Sequence, residues 1–252
     1  MKTIAAYTCK GTKNVGDLNS APTLYFDYPG VEEYSCKMNA DGPLPTEADL
    51  YIFGGGAITG RVTSCMSNGQ CDGPKVAWGI GQSKKAGDKY YRSTLLSEFD
   101  RDKTFFTLIG TRDVNIIGTE WVPCASCMSP LFDKEYEIKH DVVVYMNTVK
   151  PPQGDNCFGN RNSFEETIAF LGSSAVVLTD SYHGAYWTTL LGRTAVIVNP
   201  YSSKFYQFKH QPIIVEDTRH LMQSPRVFPE ALEECRAANI AFDAKVRDVM
   251  GL

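Results

Sequence analysis

Residues 163–208 constrain this chain most, because they read as an unbroken helix–strand–helix–strand unit. Ser163-Phe-Glu-Glu166 is a capping box, in which Ser and Glu each satisfy the other's free backbone N–H. A helix should follow and stop at Gly172, a natural residue just past a helix end. Ala175-Val-Val-Leu178 is a short apolar, β-branched run that suits a buried parallel strand. The pentad Asp180-Ser-Tyr-His-Gly184 comes next. Ala185–Leu191 then has helical length and ends at Gly192, and Ala195-Val-Ile-Val198 reads as a second buried strand closed by Asn199-Pro200. This order puts His183 beyond the carboxyl end of a strand and at a helix N-terminus. Open α/β sheets bind ligands at that edge. Unpaired N–H groups and the helix dipole favour negative charge there.

The 252 residues suffice for one large domain or two modest ones. A net charge of −4, with no run of like charges, argues against non-specific nucleic-acid binding or a polybasic membrane contact. No apolar run approaches the ~18 residues of a membrane span. The opening Met1–Cys9 lacks the long apolar core and cleavage site of a signal peptide, and Thr3–Thr8 reads as a first strand. A cytoplasmic location is the expectation. In that compartment the eight cysteines should be reduced thiols. Cys124-Ala-Ser-Cys127 has metal or redox spacing, but Cys65 and Cys71 are too far apart to complete a zinc set, and no His is near in sequence. Pro123 and Pro130 flank the pair, which favours a loop over a thioredoxin-type helix start. No metal site is expected.

Earlier in the chain, strands are expected at Thr3–Thr8, Asp49–Phe53, Lys75–Trp78 and Thr104–Ile109, and later at Asp141–Tyr145. The polar stretch Val31–Thr46, with Pro43 and Pro45, reads as loop. Glycines cluster just past strand ends (Gly54-Gly55-Gly56, Gly79-Ile-Gly81, Gly110), as in βα turns. Trp121–Asp133, rich in Pro and Cys, separates the halves. The expected fold is α/β, with two Rossmann-like lobes of about 120 residues each facing a cleft. Residues 1–133 form the first lobe, 134–230 the second, and 231–252 a closing helix. A single continuous sheet is the alternative.

Asn14-Val-Gly-Asp17-Leu-Asn19 follows the first strand. Gly16 permits a tight turn there, and Asp17 or Asn19 either caps the next helix or touches a substrate. Phe53-Gly-Gly-Gly-Ala57 lacks the spacing of a dinucleotide fingerprint and the Lys of a P-loop, which leaves close packing or an anion contact for Gly55 and Gly56. Arg112, at a strand end, either holds a carboxylate or phosphate bidentately or pairs with Asp113 at the surface. Ser181, His183 and Asp180 are too close in sequence to build a triad. His183 is a general acid/base or phosphate partner, or else a helix cap packed under Tyr182 and Trp187. Lys204 either reaches back over the strand-end edge or is an ordinary solvated lysine.

In order, these pieces resemble the polysaccharide pyruvyl transferase family, the ketal pyruvate transferases of bacterial exopolysaccharides such as xanthan. The resemblance runs from Thr3 to Phe208. Asn14-Val-Gly-Asp17 resembles the family's Asn-x-Gly-Asp motif, Gly54-Gly-Gly-Ala57 its Gly-Gly-Gly turn, and Trp78-Gly-Ile-Gly81 its Gly-x-Gly. Thr111-Arg112-Asp113 resembles its Arg-Asp element. Asp180-Ser-Tyr-His-Gly184, with Gly192 and Lys204, resembles its Ser-x-x-His-Gly signature. The resemblance implies a glycosyltransferase-B-like fold, the first lobe serving the acceptor and the second the donor. The donor would be phosphoenolpyruvate and the acceptor a sugar diol on a glycan, lipid carrier or nucleotide. The product would be a pyruvate ketal, formed without a cofactor. It implies catalytic roles for His183 and Asp17, with substrate held by Asn14, Gly16, Gly55, Gly56, Arg112, Ser181, Tyr182, Gly184 and Lys204. Many members carry Arg where this chain has Tyr182, and Pro where it has Thr194. Two alternatives keep the same fold. One is a glycosyltransferase with a nucleotide-sugar donor, in which Glu216 or Asp217 would meet the ribose. The other is a non-catalytic carbohydrate- or anion-binding relative.

Overall fold

A computed structural model describes residues 2–8, 12–35, 46–56, 71–83, 105–114, 116–147, 154, 156–215 and 225–252. Two parallel sheets organise them. The first holds β1 (Ile4–Thr8), β2 (Val31–Ser35), β3 (Leu50–Gly54), β4 (Lys75–Ile80), β5 (Leu108–Thr111) and β6 (Glu120–Trp121), in the order β2-β1-β3-β4-β5-β6. The second holds β7 (His140–Met146), β8 (Cys157–Gly159), β9 (Ser174–Thr179), β10 (Thr194–Val198) and β11 (Ile213–Val215), in the order β11-β10-β9-β7-β8. Counted from its own first strand, the first sheet runs 2-1-3-4-5-6 and the second 2-1-3-4-5. Both are doubly wound orders of Rossmann-like α/β type, in which the strand sequence reverses between the first and third strands. Each sheet therefore has one switch point, at β1/β3 and at β7/β9.

Every position of β1 and β3 is buried, as expected of parallel strands covered on both faces. The capping box forms as read: Ser163 Oγ accepts from the Glu166 N–H, and the Glu166 carboxylate accepts from the Ser163 N–H. The helix behind it, Phe164–Gly172, follows the short helix α1 (Val15–Leu18) and is α2. The next, α3 (Tyr182–Leu190), is buried along its whole length.

Three readings need correction. Val31–Ser35 is the edge strand β2, not loop, because five parallel pairings to β1 outweigh its polar side chains. The strand expected at Thr104–Ile109 is Leu108–Thr111. Helix α3 begins at Tyr182 with Ser181 as its cap, so His183 and Gly184 lie in the first helical turn rather than before it.

Helix α4 (Ala231–Met250) joins the two cores. Its buried residues Ala231, Cys235, Asn239, Phe242, Val246 and Met250 recur every three or four positions and form one stripe. Ala231 and Cys235 pack in the core around β7, β9 and α3, whereas Phe242, Val246 and Met250 pack with Ile4, Leu50, Ile52 and Trp78 of the first sheet. Between them, fully buried Asn239 accepts from Trp78 Nε1 at 2.9 Å and donates to the Pro123 and Cys235 carbonyls. The helix ends on Gly251, whose φ of 62° is the left-handed geometry that favours glycine. Among the described residues no helix is long and apolar enough to cross a membrane.

Candidate functional site

The two switch points meet. After β1, the Asn14 side chain caps α1 by accepting from the Gly16 and Asp17 amides, so the cap is Asn14 rather than Asp17 or Asn19. The Val15 amide donates to the Asn160 carbonyl, just past β8, at 2.9 Å. The same turn lies against α3: a Cβ on Gly16 would come within 2.1 Å of His183 Nδ1. Only glycine lets the first switch point close on the histidine of the second.

His183 is buried, and its other nitrogen, Nε2, lies 3.6 Å from Cys124 Sγ. Its ring packs against Trp187 with centroids 5.1 Å apart, and edge-on to Tyr182. Burial pushes its pKa well below the ordinary histidine value, and the positive charges of Arg112 and Lys204 push it further. The free site thus holds a neutral imidazole.

Arg112 comes from the end of β5 and is 3% exposed. Its guanidinium carbon sits 3.7 Å from the centroid of the Tyr182 ring, a cation–π stack. Among the described residues its buried Nε has no hydrogen-bond acceptor, and the carboxylate oxygen Asp113 Oδ1 is 3.9 Å away. The pair is therefore interior, not a surface ion pair. A Cβ on Gly81 would come within 2.3 Å of Arg112 Nε, so the second glycine of Trp78-Gly-Ile-Gly81 makes room for this side chain. Asp113 is equally buried and accepts from the Gln82 amide at 2.7 Å. Burial raises its pKa to about 6, against the opposing pull of Arg112 and the Gln82 N–H.

Lys204 lies in a 3-10 turn, Ser203–Tyr206, with its Nζ 4.9 Å from the ring centroids of both Tyr201 and Phe205. Burial, then the charge of Arg112, lowers its pKa to about 8, while Asp17 and Asp180 pull the other way. It is a half-buried cation, not a solvated one. Ser181 Oγ accepts from the Gly184 amide, leaving the Tyr182 and His183 amides without an intrahelical acceptor. Gly184 packs on Tyr145, where a Cβ would approach ring carbon Cδ1 to 2.5 Å.

The fold thus brings together Asn14, Gly16, Arg112, Ser181, Tyr182, His183, Gly184 and Lys204, with Asp17 near enough to act on Lys204 by charge. Gly55 and Gly56 form the turn after β3: both have positive φ, and a Cβ on Gly55 would strike Ser20. Ala57, Cys65, Glu216 and Asp217 lie outside the described residues. Local reading noted Cys124 for its spacing to Cys127 but missed its contact with His183, which is 59 positions away. It also missed a polar cluster at the second switch point. There Asn147 donates its amide N–H to Asp180 at 2.6 Å and its side chain to Tyr201 Oη at 3.0 Å, and Asn160 donates to the Asn147 side chain. Each of the two asparagines directly follows a strand's last residue, the one signal that pointed to them. Among the described residues, no group of three His, Cys, Asp or Glu is placed to hold a metal ion.

The fold and site define a protein of two Rossmann-like sheets with an inward-facing, cation-rich switch point. No family model and no curated protein matches the chain. In three dimensions it is similar to the crystal structure of an uncharacterized protein from Klebsiella pneumoniae subsp. pneumoniae NTUH-K2044, with 16% identity and a TM-score of 0.50. The match covers 86% of this chain and 94% of that one. At that identity the likeness concerns the fold alone.

Proposed function

We propose that this chain is a ketal pyruvyl transferase of glycosyltransferase-B-like build, taking phosphoenolpyruvate as donor and a sugar diol of a glycan or glycan precursor as acceptor. One observation carries the reading: Arg112 is buried on Tyr182 beside His183, with its Nε lacking an acceptor. A buried N–H without an acceptor is costly; the Asp113 carboxylate balances the charge but stands 3.9 Å away, too far to accept from Nε, so a ligand oxygen would fill that place. Arg112, Lys204 and the first-turn amides of α3 together suit a ligand with both a carboxylate and a phosphate. Tyr182, standing where many relatives of the resembled family have Arg, supplies the platform on which Arg112 stacks.

In the reaction, C3 of the donor gains a proton and a sugar hydroxyl adds to C2. The C2–O bond to phosphate then breaks, and the second hydroxyl closes the ketal. Of the two hydroxyl protons released, one balances the proton on C3 and the other leaves with phosphate or solvent. His183 carries the proton that reaches C3. Its pKa is held down partly by Arg112 and Lys204, and the donor's negative charge offsets both, so binding favours protonation of the imidazole. Arg112 and Lys204 stabilise the departing phosphate, and Asp17 orients the acceptor hydroxyl. A cytoplasmic location follows from the donor, as part of the same proposal.

Thermal unfolding with phosphoenolpyruvate, phosphate and UDP-, GDP- and CMP-linked ligands tests this. At a hundredfold excess over Kd, binding adds about 2.7 kcal/mol, a Tm rise of roughly 5–10 °C for a chain of this size. The expected result is a rise with phosphoenolpyruvate that Arg112→Ala abolishes. A rise with nucleotides alone would replace this reading by a glycosyltransferase.

A further inference from the structure

The Cys124-Ala-Ser-Cys127 motif has no part in the chemistry above, yet the structure folds it against His183. It forms a 3-10 turn, Ala125–Met128, beneath the start of α3. Trp187 Nε1 donates to Ser126 Oγ at 2.9 Å. Ser126 Oγ lies 3.2 Å from Cys124 Sγ, and Cys124 Sγ lies 3.6 Å from His183 Nε2. Trp187 and His183 are one helical turn apart, so this chain of contacts leaves α3 and returns to it. Trp187, Ser126 and Cys124 are fully buried and His183 nearly so.

The direction of the chain follows from its first member. An indole N–H only donates, so Ser126 Oγ accepts there and keeps its own proton to give. Among the described residues, the acceptor in reach is Cys124 Sγ. If Cys124 instead donated to Ser126, the Ser126 hydroxyl would receive two donors and its proton would be buried without an acceptor, a loss comparable to a full hydrogen bond. With Ser126 donating to sulfur, the thiol proton is left to point at His183 Nε2. Burial raises the Cys124 pKa, which keeps that proton on sulfur.

We propose that Cys124 is a positioning residue that holds neutral His183 with its proton on Nδ1. The Nδ1 edge is the one that Gly16 borders without a side chain, so the donor N–H is directed to the meeting point of the two switch points. The tautomer rests on this geometry alone. Its role in presenting Nδ1 to the donor molecule rests on the pyruvyl transferase reading.

Long-range proton–nitrogen correlation of protein labelled with [15N]histidine tests it, with no ligand added. Loss of one resonance pair in His183→Gln assigns the signals. The expected result is a protonated, pyrrole-like Nδ1 and a bare, pyridine-like Nε2. Cys124→Ser, which keeps an O–H donor, should retain that tautomer. Cys124→Ala should lower the Nδ1–H to Nε2–H ratio by roughly 2–10-fold, the worth of one net hydrogen bond. A wild-type spectrum with the proton on Nε2 overturns the proposal, as does a Cys124→Ala protein with an unchanged ratio. If Cys124→Ala does not fold, the wild-type spectrum and Cys124→Ser decide. Absence of phosphoenolpyruvate binding with Nδ1–H intact would refute the pyruvyl transferase and leave the tautomer standing.

Discussion

Asp113→Asn should make the protein's stability markedly less sensitive to pH. The Asp113 carboxyl is 1% exposed, has an unpaired Oδ1, and has its pKa raised by burial from 3.8 to about 6. A gap of about 2 units is worth roughly 3 kcal/mol at 1.36 kcal/mol per unit. The sign follows from proton binding. As pH falls through 6, the folded protein takes up a proton that the unfolded chain takes only near 3.8, so stability rises. The penalty is complete above pH 6 and vanishes below about 3.8. The attraction of Arg112 is already contained in that pKa. Asn retains an oxygen for the Gln82 amide but brings an NH2 that meets Arg112, a pH-independent cost of about 1–3 kcal/mol. That cost cancels when the same substitution is compared at two pH values. Urea unfolding of both proteins at pH 4 and pH 7.5, fitted with a shared m-value, should give a substitution effect about 2–3 kcal/mol more favourable at pH 7.5. Equal effects at both pH values would refute the buried, ionised state assigned to Asp113.

Three other perturbations probe the site and its supports. Phosphate affinity, measured by calorimetry, should fall as pH rises through about 8, where Lys204 loses its proton; Lys204→Gln should bind roughly tenfold more weakly and lack that decline. Gly16→Ala gains about 1 kcal/mol of helix propensity but drives a methyl group into His183. Overpacking of about 1–3 kcal/mol should leave it less stable in urea, with the Nδ1 proton signal of His183 displaced. Asn239→Leu strips the buried Trp78 Nε1 of its acceptor and the Pro123 and Cys235 carbonyls of a donor. A lower urea midpoint corresponding to about 3 kcal/mol is expected.

Most central strands and the long helices were legible in the sequence, apart from the bounds of β5 and the start of α3, and edge strands were not. Ala175–Leu178 and Ala195–Val198 are covered on both faces, so burial wrote itself into an apolar run. At an edge, β2 is Val-Glu-Glu-Tyr-Ser, because one side of an edge strand tolerates charge. The three-residue strands β8 and β11 are too short to show a period. For the site, single loops were readable: Asn14 to Asp17 follows β1, and Ser181 to Gly184 follows β9. Their juxtaposition was not readable, because it depends on how the two sheets dock. Gly16 was read as a turn glycine, whereas its lack of a Cβ serves His183 some 167 positions later. Arg112 and Asp113 fit a surface pair by spacing, and only the packing of Tyr182 and Gly81 around Arg112 reveals them as interior.

Helix α4 also sets a timetable. The face of the first sheet built from Ile4, Leu50, Ile52 and Trp78 is covered by Phe242, Val246 and Met250. Trp78 and its partner Asn239 are 161 positions apart. At ~5–20 residues per second, a ribosome needs roughly 10–30 s to cross that interval. Throughout it, the sheet made first lacks the cover of Phe242, Val246 and Met250, and its Trp78 N–H lacks the Asn239 acceptor. The half of the protein that emerges earliest is the half completed last, and its yield in a cell depends on what shelters that face while the rest is being made.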